Sequence, residues 1–132
     1  MKKVICSQKA PGAIGPYSQA IEANGMVFVS GQLSIDAATG VMAEGAEAQA
    51  RQSLENVKHI LEEAGLSMAN IVKTTVFLAD MSLFADMNKV YATYFDGAFP
   101  ARSAVAASAD FHFAVKALPK DALVEIECIA VR

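Results

Sequence analysis

The chain has 132 residues, a formal net charge of −3, a pI near 5.3 and 54% hydrophobic residues. That length suits one domain over residues 1–132, large enough to build an apolar core without staples. The mild acidity excludes a broad basic surface for nucleic acid or an anionic membrane, and no apolar run approaches the roughly 18 residues of a membrane helix.

Cys6 and Cys128 are the two cysteines. Two are too few for a disulfide framework, and their spacing is no zinc pattern, so a reducing compartment is expected. Ser7, Gln8 and Lys9 come soon after Met1-Lys2-Lys3 with no apolar h-region between. The reading is therefore no secretory signal and a cytoplasmic location. A mean hydropathy of +0.32 with 19% charged residues leaves little polar material for the surface. Part of that surface is expected to be a subunit interface, the alternative being an Ala-rich core.

Met26 to Ser30 is a short apolar strand ending at Gly31, and Asp36 to Gly40 reads as a turn. Ala50, Leu54, Val57, Leu61 and Ala64 fall at steps of 4, 3, 4 and 3, which predicts a helix over Ala46 to Ala64 closed by Gly65. Val72 to Leu78 is β-branched and aromatic, hence a strand. Asp80 or Ser82 can cap a second helix with the stripe Phe84, Met87, Tyr91 and Tyr94, ending near Asp96-Gly97. Pro100 stops any helix, and a strand begins over Arg102 to Val105. The turn Pro119-Lys120-Asp121 opens the last strand, Leu123 to Val131. This order predicts an α+β fold: one sheet with two helices packed on one face, its other face left for another subunit to cover.

The last strand carries the most chemistry. Period-two alternation puts Glu125 and Glu127 on one face with Leu123, Ile129 and Val131, and points Cys128 the other way, as a small buried hydrophobe. The two carboxylates read either as the charges of a solvated edge strand or as functional groups that need a partner. Arg102, after Phe99-Pro100-Ala101, has the planar fork for bidentate capture of a carboxylate. Its alternative is a salt bridge to Glu125 or Glu127 on an adjacent strand. His59 and His112 are the two histidines, and neither has neighbours at metal-ligand spacing, so no metal is expected. Ser30 lacks a G-x-S-x-G elbow and reads as a strand-end residue, and there is no phosphate loop or dinucleotide fingerprint.

Several motifs in order span the chain nearly end to end: Ala13-Ile14-Gly15-Pro16-Tyr17-Ser18-Gln19-Ala20, Val29-Ser30-Gly31-Gln32, Ala50 to Val57, Val72 to Leu78, Phe99-Pro100-Ala101-Arg102-Ser103, and Leu118-Pro119-Lys120-Asp121 through Val124 to Glu127. Together they resemble the Rid (reactive intermediate deaminase, YjgF) family. The resemblance implies a chorismate-mutase-like α+β fold with one mixed sheet. It also implies a homotrimer around a central barrel, with an active site in each cleft between subunits. Members with the arginine are 2-iminobutanoate/2-iminopropanoate deaminases. They hydrolyse the imines or enamines released by pyridoxal-phosphate dehydratases from threonine and serine, giving 2-keto acids and ammonia. Carried over by position, Arg102 binds the substrate carboxylate and Glu125 holds the attacking water. Tyr17, Ser30, Gly31 and Asn88 line the pocket. Ala104 stands where many relatives have Cys, with its backbone N–H still available. The implied substrate is a small 2-imino acid, with no cofactor and no nucleic-acid or membrane partner.

The chemistry of the residue types agrees. An imine carbon is already electrophilic, so hydrolysis needs a positioned water, a carboxylate to take its proton and a clamp on the acid group. One departure from the family pattern is a predicted eight-residue insertion over Ala107 to Ala114, or a window shifted by one, which includes His112 as a cleft residue or a packed loop residue. Two other functions stay open at this point: a non-catalytic small-ligand-binding or regulatory trimer, and the endoribonuclease label that some members carry. The acidic composition weighs against the latter.

Overall fold

The computed structural model describes residues 1–106 and 117–132. The expected insertion over Ala107 to Ala114, with His112, lies outside the described residues. In chain order the elements are β1 (Lys3–Ile5), β2 (Ala20–Ala23), β3 (Met26–Leu33), α1 (Ala46–Glu63), β4 (Ile71–Leu78), α2 (Phe84–Tyr91), β5 (Ala101–Ala106) and β6 (Val124–Val131). They build one six-stranded sheet in the order β1-β2-β3-β6-β4-β5. Neighbours are antiparallel except β4 and β5, which run parallel because α2 crosses between them. The fold is thus a mixed-sheet α+β pair of layers, as the element order predicted.

The first helix follows its sequence closely. Ala50, Leu54, Val57, Leu61 and Ala64 are all buried. Gly65 adopts φ 73°, and the N–H groups of Gly65 and Leu66 return to the carbonyls of Glu62 and Leu61, a Schellman ending that needs a residue free to turn left-handed. The second helix starts later than its cap suggested. Asp80 accepts from the Ser82 N–H at 2.7 Å, but it caps a 3₁₀ turn over Met81–Leu83, and the α-helix begins only at Phe84.

Two expectations need correction. The strand from Met26 does not end at Gly31; it runs on to Leu33, with a bulge between Val29 and Gln32 that absorbs the irregularity. Two further strands, β1 and β2, precede it. β2 and β3 form a tight hairpin through Asn24-Gly25, both at positive φ, the pairing that a right-handed twisted hairpin favours.

Both helices lie on one face. On β6 the buried residues Val124, Ile126, Cys128 and Ala130 point at them, while Glu125, Glu127, Ile129 and Val131 point away and stay half-exposed. β4 repeats the pattern with Thr74, Val76 and Leu78 buried. The face away from the helices carries exposed apolar residues, including Phe28 on β3 and Val105 on β5. No helix among the described residues is long and apolar enough to cross a membrane.

Irregular backbone is fastened under α1 by buried amides. Asn56 is fully buried; its Nδ2 donates to the carbonyls of Leu33 (3.0 Å) and Ile35 (2.9 Å). Gln49 accepts from Leu123 N–H at 2.8 Å and donates to the Ala43 carbonyl at 3.0 Å. These carbonyls and amides lie at or just past the ends of the ladder, and leaving them unpaired under a helix costs the full desolvation of each group. Asn56→Leu keeps the volume but strips two carbonyls of their donor. It is expected to destabilise the fold by about 2–4 kcal/mol, read as a lower urea midpoint with the slope unchanged. A loss under about 0.5 kcal/mol would mean that water replaces the amide there.

Candidate functional site

A concavity of about 710 Å³ opens on the sheet face away from the helices, beside the β3 bulge. Tyr17, Ser30, Gly31, Lys120, Glu125 and Glu127 line it. The bulge is tied down on its far side. Ser30 N–H donates to the Gln19 carbonyl at 2.9 Å, and Ser30 Oγ donates to the Ser18 carbonyl at 2.6 Å. Gln19, almost wholly buried, accepts from Ser7 N–H at 2.6 Å and donates to the Ala10 and Pro11 carbonyls. The Tyr17 segment and the cleft wall at Pro11 and Gly12 are thereby held as one piece. Sequence reasoning passed over Gln19, because only the paths of the chain around it reveal its work.

Glu125 projects from β6 onto the bulge. A Cβ placed on Gly31 would run into Glu125 Oε1, so only glycine lets the carboxylate rest against the strand there. Burial pushes the Glu125 carboxyl above the ordinary carboxylate range, and the like charge of Glu127, two residues along the same face, adds to the rise. A half-buried carboxylate held protonation-ready in a cleft has the properties of a general base or acid. The turn that brings Lys120 to the rim is itself strained: Lys120 and Asp121 both hold left-handed backbone, φ 56° and 55°.

Arg102 lies elsewhere. Its Nη1 donates to Asn88 Oδ1 at 2.7 Å. Its guanidinium carbon stands 4.7 Å from the Tyr91 ring centroid and 5.4 Å from that of Phe84. Ala104 follows two residues on, on the same face of β5. Strand register fixes which face this is. Thr74 on β4 pairs with both Arg102 and Cys128, which puts Arg102 on the helix-covered face. Phe77 pairs with both Val105 and Glu125, on the opposite face.

The sequence expectation of a salt bridge between Arg102 and Glu125 or Glu127 on an adjacent strand is therefore wrong. β4 lies between β5 and β6, and the charges are on opposite faces. One chain holds two separate clusters: Tyr17, Ser30, Gly31 and Glu125 on one side, and Asn88, Arg102 and Ala104 on the other.

The remaining candidates are structural in their surroundings. His59 Nδ1 is 3.0 Å from the Lys9 carbonyl and its Nε2 is 3.9 Å from Glu55. Cys128 is buried beneath the helices, and burial pushes its thiol up to about 12, so it stays a protonated apolar group. Among the described residues no three His, Cys, Asp or Glu side chains cluster as metal ligands would.

Known proteins resemble the chain along its whole length. The family model described as Endoribonuclease L-PSP matches residues 7–132. The 2-iminobutanoate/2-iminopropanoate deaminase of Salmonella typhimurium is 50% identical over 135 residues, spanning 100% of this chain and 99% of that protein. The mouse protein of the same name is 45% identical, spanning 100% and 93%. A crystal structure of E. coli TdcF with bound serine superposes with a TM-score of 0.89 at 47% identity, covering 98% of each chain. With this identity, this coverage and the same mixed-sheet fold, the chain belongs to the Rid/YjgF family.

Proposed function

We propose that the chain is a hydrolase that deaminates reactive 2-imino acids, 2-iminobutanoate and 2-iminopropanoate or their enamine tautomers, to 2-keto acids and ammonia. The observation that carries this reading is the end-to-end identity with relatives named for that reaction in a bacterium and a mammal. The residues supply a mechanism for it. Arg102 receives the substrate carboxylate on the edge of its fork. Glu125, ionised, takes a proton from a water that adds to the imine carbon, giving a carbinolamine. Glu125 returns that proton to the nitrogen to complete the carbinolamine, then carries the carbinolamine hydroxyl proton to the amino group, so the C–N bond breaks as the C=O bond forms and ammonia leaves. Tyr17, Ser30 and Gly31 wall the cleft on the Glu125 side, and Asn88 and the Ala104 backbone on the Arg102 side.

Arg102 and Glu125 stand on opposite faces of their own sheet, so a second copy has to bring one to the other. The exposed Phe28 and Val105 on the uncovered face give such a copy an apolar surface to bury. We read the assembly as a homotrimer around a central barrel, each cleft taking the Glu125 cluster from one chain and the Arg102 cluster from the next. The two free cysteines, Cys6 exposed and Cys128 buried, suit a reducing, cytoplasmic setting. The serine in E. coli TdcF favours one rival, a trimer that binds small carboxylates without turnover. Ammonia release from threonine plus a dehydratase, with and without this protein, separates the two. A nuclease role has less support: the chain is net acidic, and Glu125 and Glu127 would repel a phosphate backbone.

The shared cleft is testable by mixing. Arg102→Ala alone should lose nearly all activity, and Glu125→Gln alone roughly 10²–10⁴ in kcat. Unfolded together in equal amounts and refolded, the two inactive chains should recover about a quarter of wild-type activity, because each mixed trimer regains one intact cleft of three. Hybrid trimers present by mass but silent in the assay would overturn the two-chain site.

The pH profile provides a second check. A base with a raised pKa is protonated, and lost, at a higher pH than an ordinary carboxylate as the solution is acidified. The acid limb of kcat/KM should lie above the usual glutamate range. Glu127→Gln removes one cause of the rise and should move that limb to lower pH, with kcat near neutrality within about tenfold of wild type. A limb that stays in place in this variant would uncouple the two glutamates.

A further inference from the structure

Arg102 is held in a seat that the reaction itself does not account for. α2 presents Phe84, Asn88 and Tyr91 at helical steps of 4 and 3, so the three side chains form one stripe facing β5. Asn88 fixes one nitrogen of the guanidinium, and the guanidinium carbon stands over the Tyr91 ring, 4.7 Å from its centroid. The Tyr91 hydroxyl is in turn tied to Thr74 Oγ1 at 2.7 Å, in a buried contact. Thr74, only 1% exposed, pairs directly with Arg102 across the β4–β5 ladder. The circuit closes on itself. The backbone sets Thr74 beside Arg102, Thr74 holds the Tyr91 hydroxyl, and the Tyr91 ring lies beneath the guanidinium carbon.

A tyrosine recruited for packing alone would gain nothing from a buried hydroxyl, which costs desolvation unless it is bonded. Burial is also the main reason the Tyr91 hydroxyl is held above its ordinary range, so it stays a neutral donor or acceptor. Bidentate capture of a carboxylate depends on the plane of the fork, and a free arginine side chain samples many planes. We propose that Tyr91, anchored by Thr74, is a positioning residue that orients Arg102 for an α-carboxylate ligand. The inference rests on the reading of Arg102 as the carboxylate clamp.

The test measures two things on the intact protein: KM and kcat for 2-iminobutanoate generated in situ, and the affinity for serine as a non-reacting α-carboxylate, by calorimetry. Tyr91→Leu should raise both KM and the serine Kd by roughly threefold to thirtyfold, the scale of a cation–π contact, with kcat within about threefold. Tyr91→Phe should recover only part of the loss, because the ring returns without its anchor on Thr74, and its KM should stay above the wild-type value. In an Arg102→Ala background, Tyr91→Leu should weaken serine binding no further, whereas a general packing defect would still add its effect. If Arg102→Ala leaves serine affinity unchanged, the clamp reading itself fails. If Arg102→Ala weakens it and Tyr91→Leu does not, or if the Leu effect persists without the arginine, the positioning role is overturned. Should the Leu variant not fold, Tyr91→Phe and Thr74→Val decide: both break the same hydrogen bond and should raise KM by a similar factor, and an unchanged KM in both overturns the proposal.

Discussion

A β-sheet has two faces, and successive side chains must take them in turn. That alternation governs this molecule. On β6 it sends Ile126 and Cys128 beneath the helices and Glu125 and Glu127 to the other side. On β5, two strands away, it sends Arg102 to the helix side. Neither position can be exchanged without shifting a strand by one residue, which would turn the buried set outward and the charged set inward. The division of the polar residues into two clusters is thus locked to the same register that makes the core, and the proposed sharing of each cleft between chains follows from it.

The rest of the architecture serves to hold irregular backbone near those clusters. The ladder satisfies the strands, but a cleft wall cannot be a strand. Gln19, Gln49 and Asn56 do there what the ladder does elsewhere, each bonding backbone groups far away in sequence. The bulge at Ser30 and Gly31 is the second device. It interrupts the pairing of β3 with β6 opposite Glu127, and its glycine leaves space for the Glu125 carboxylate to rest against main chain. A carboxyl group in so little water keeps its proton more readily, so the geometry of a bulge becomes a property of an acid.

Much of this was legible beforehand, and the gaps have common causes. The α1 stripe, the β4 run and the alternation along β6 are local patterns that burial enforces, and they stand in the structure as the sequence suggested. The hairpin of β2 and β3 was missed although Asn24-Gly25 is a strong turn signal; Ala20 to Ala23 is too short and too weakly alternating to announce a strand alone. The strand end placed at Gly31 mistook a bulge glycine for a terminus. The supposed contact of Arg102 with Glu125 or Glu127 failed because strand neighbours are set by long-range pairing, which no window of residues encodes. Tyr91 read as one more core residue on a helical stripe, since a sequence does not say what a hydroxyl will meet. Of the candidate site, the residue types were readable and their division between two faces was not.

The fate of the sulfur atoms has a consequence for chemical durability. Cys128 is buried, and that burial pushes its thiol up to about 12. Peroxides and alkylating agents attack thiolates, and a protonated, enclosed sulfur offers them almost nothing. Cys6, exposed near the start of the chain, remains the accessible thiol. An oxidant strong enough to silence thiol-dependent enzymes would therefore mark this protein at its edge and leave the Arg102 and Glu125 clusters chemically intact.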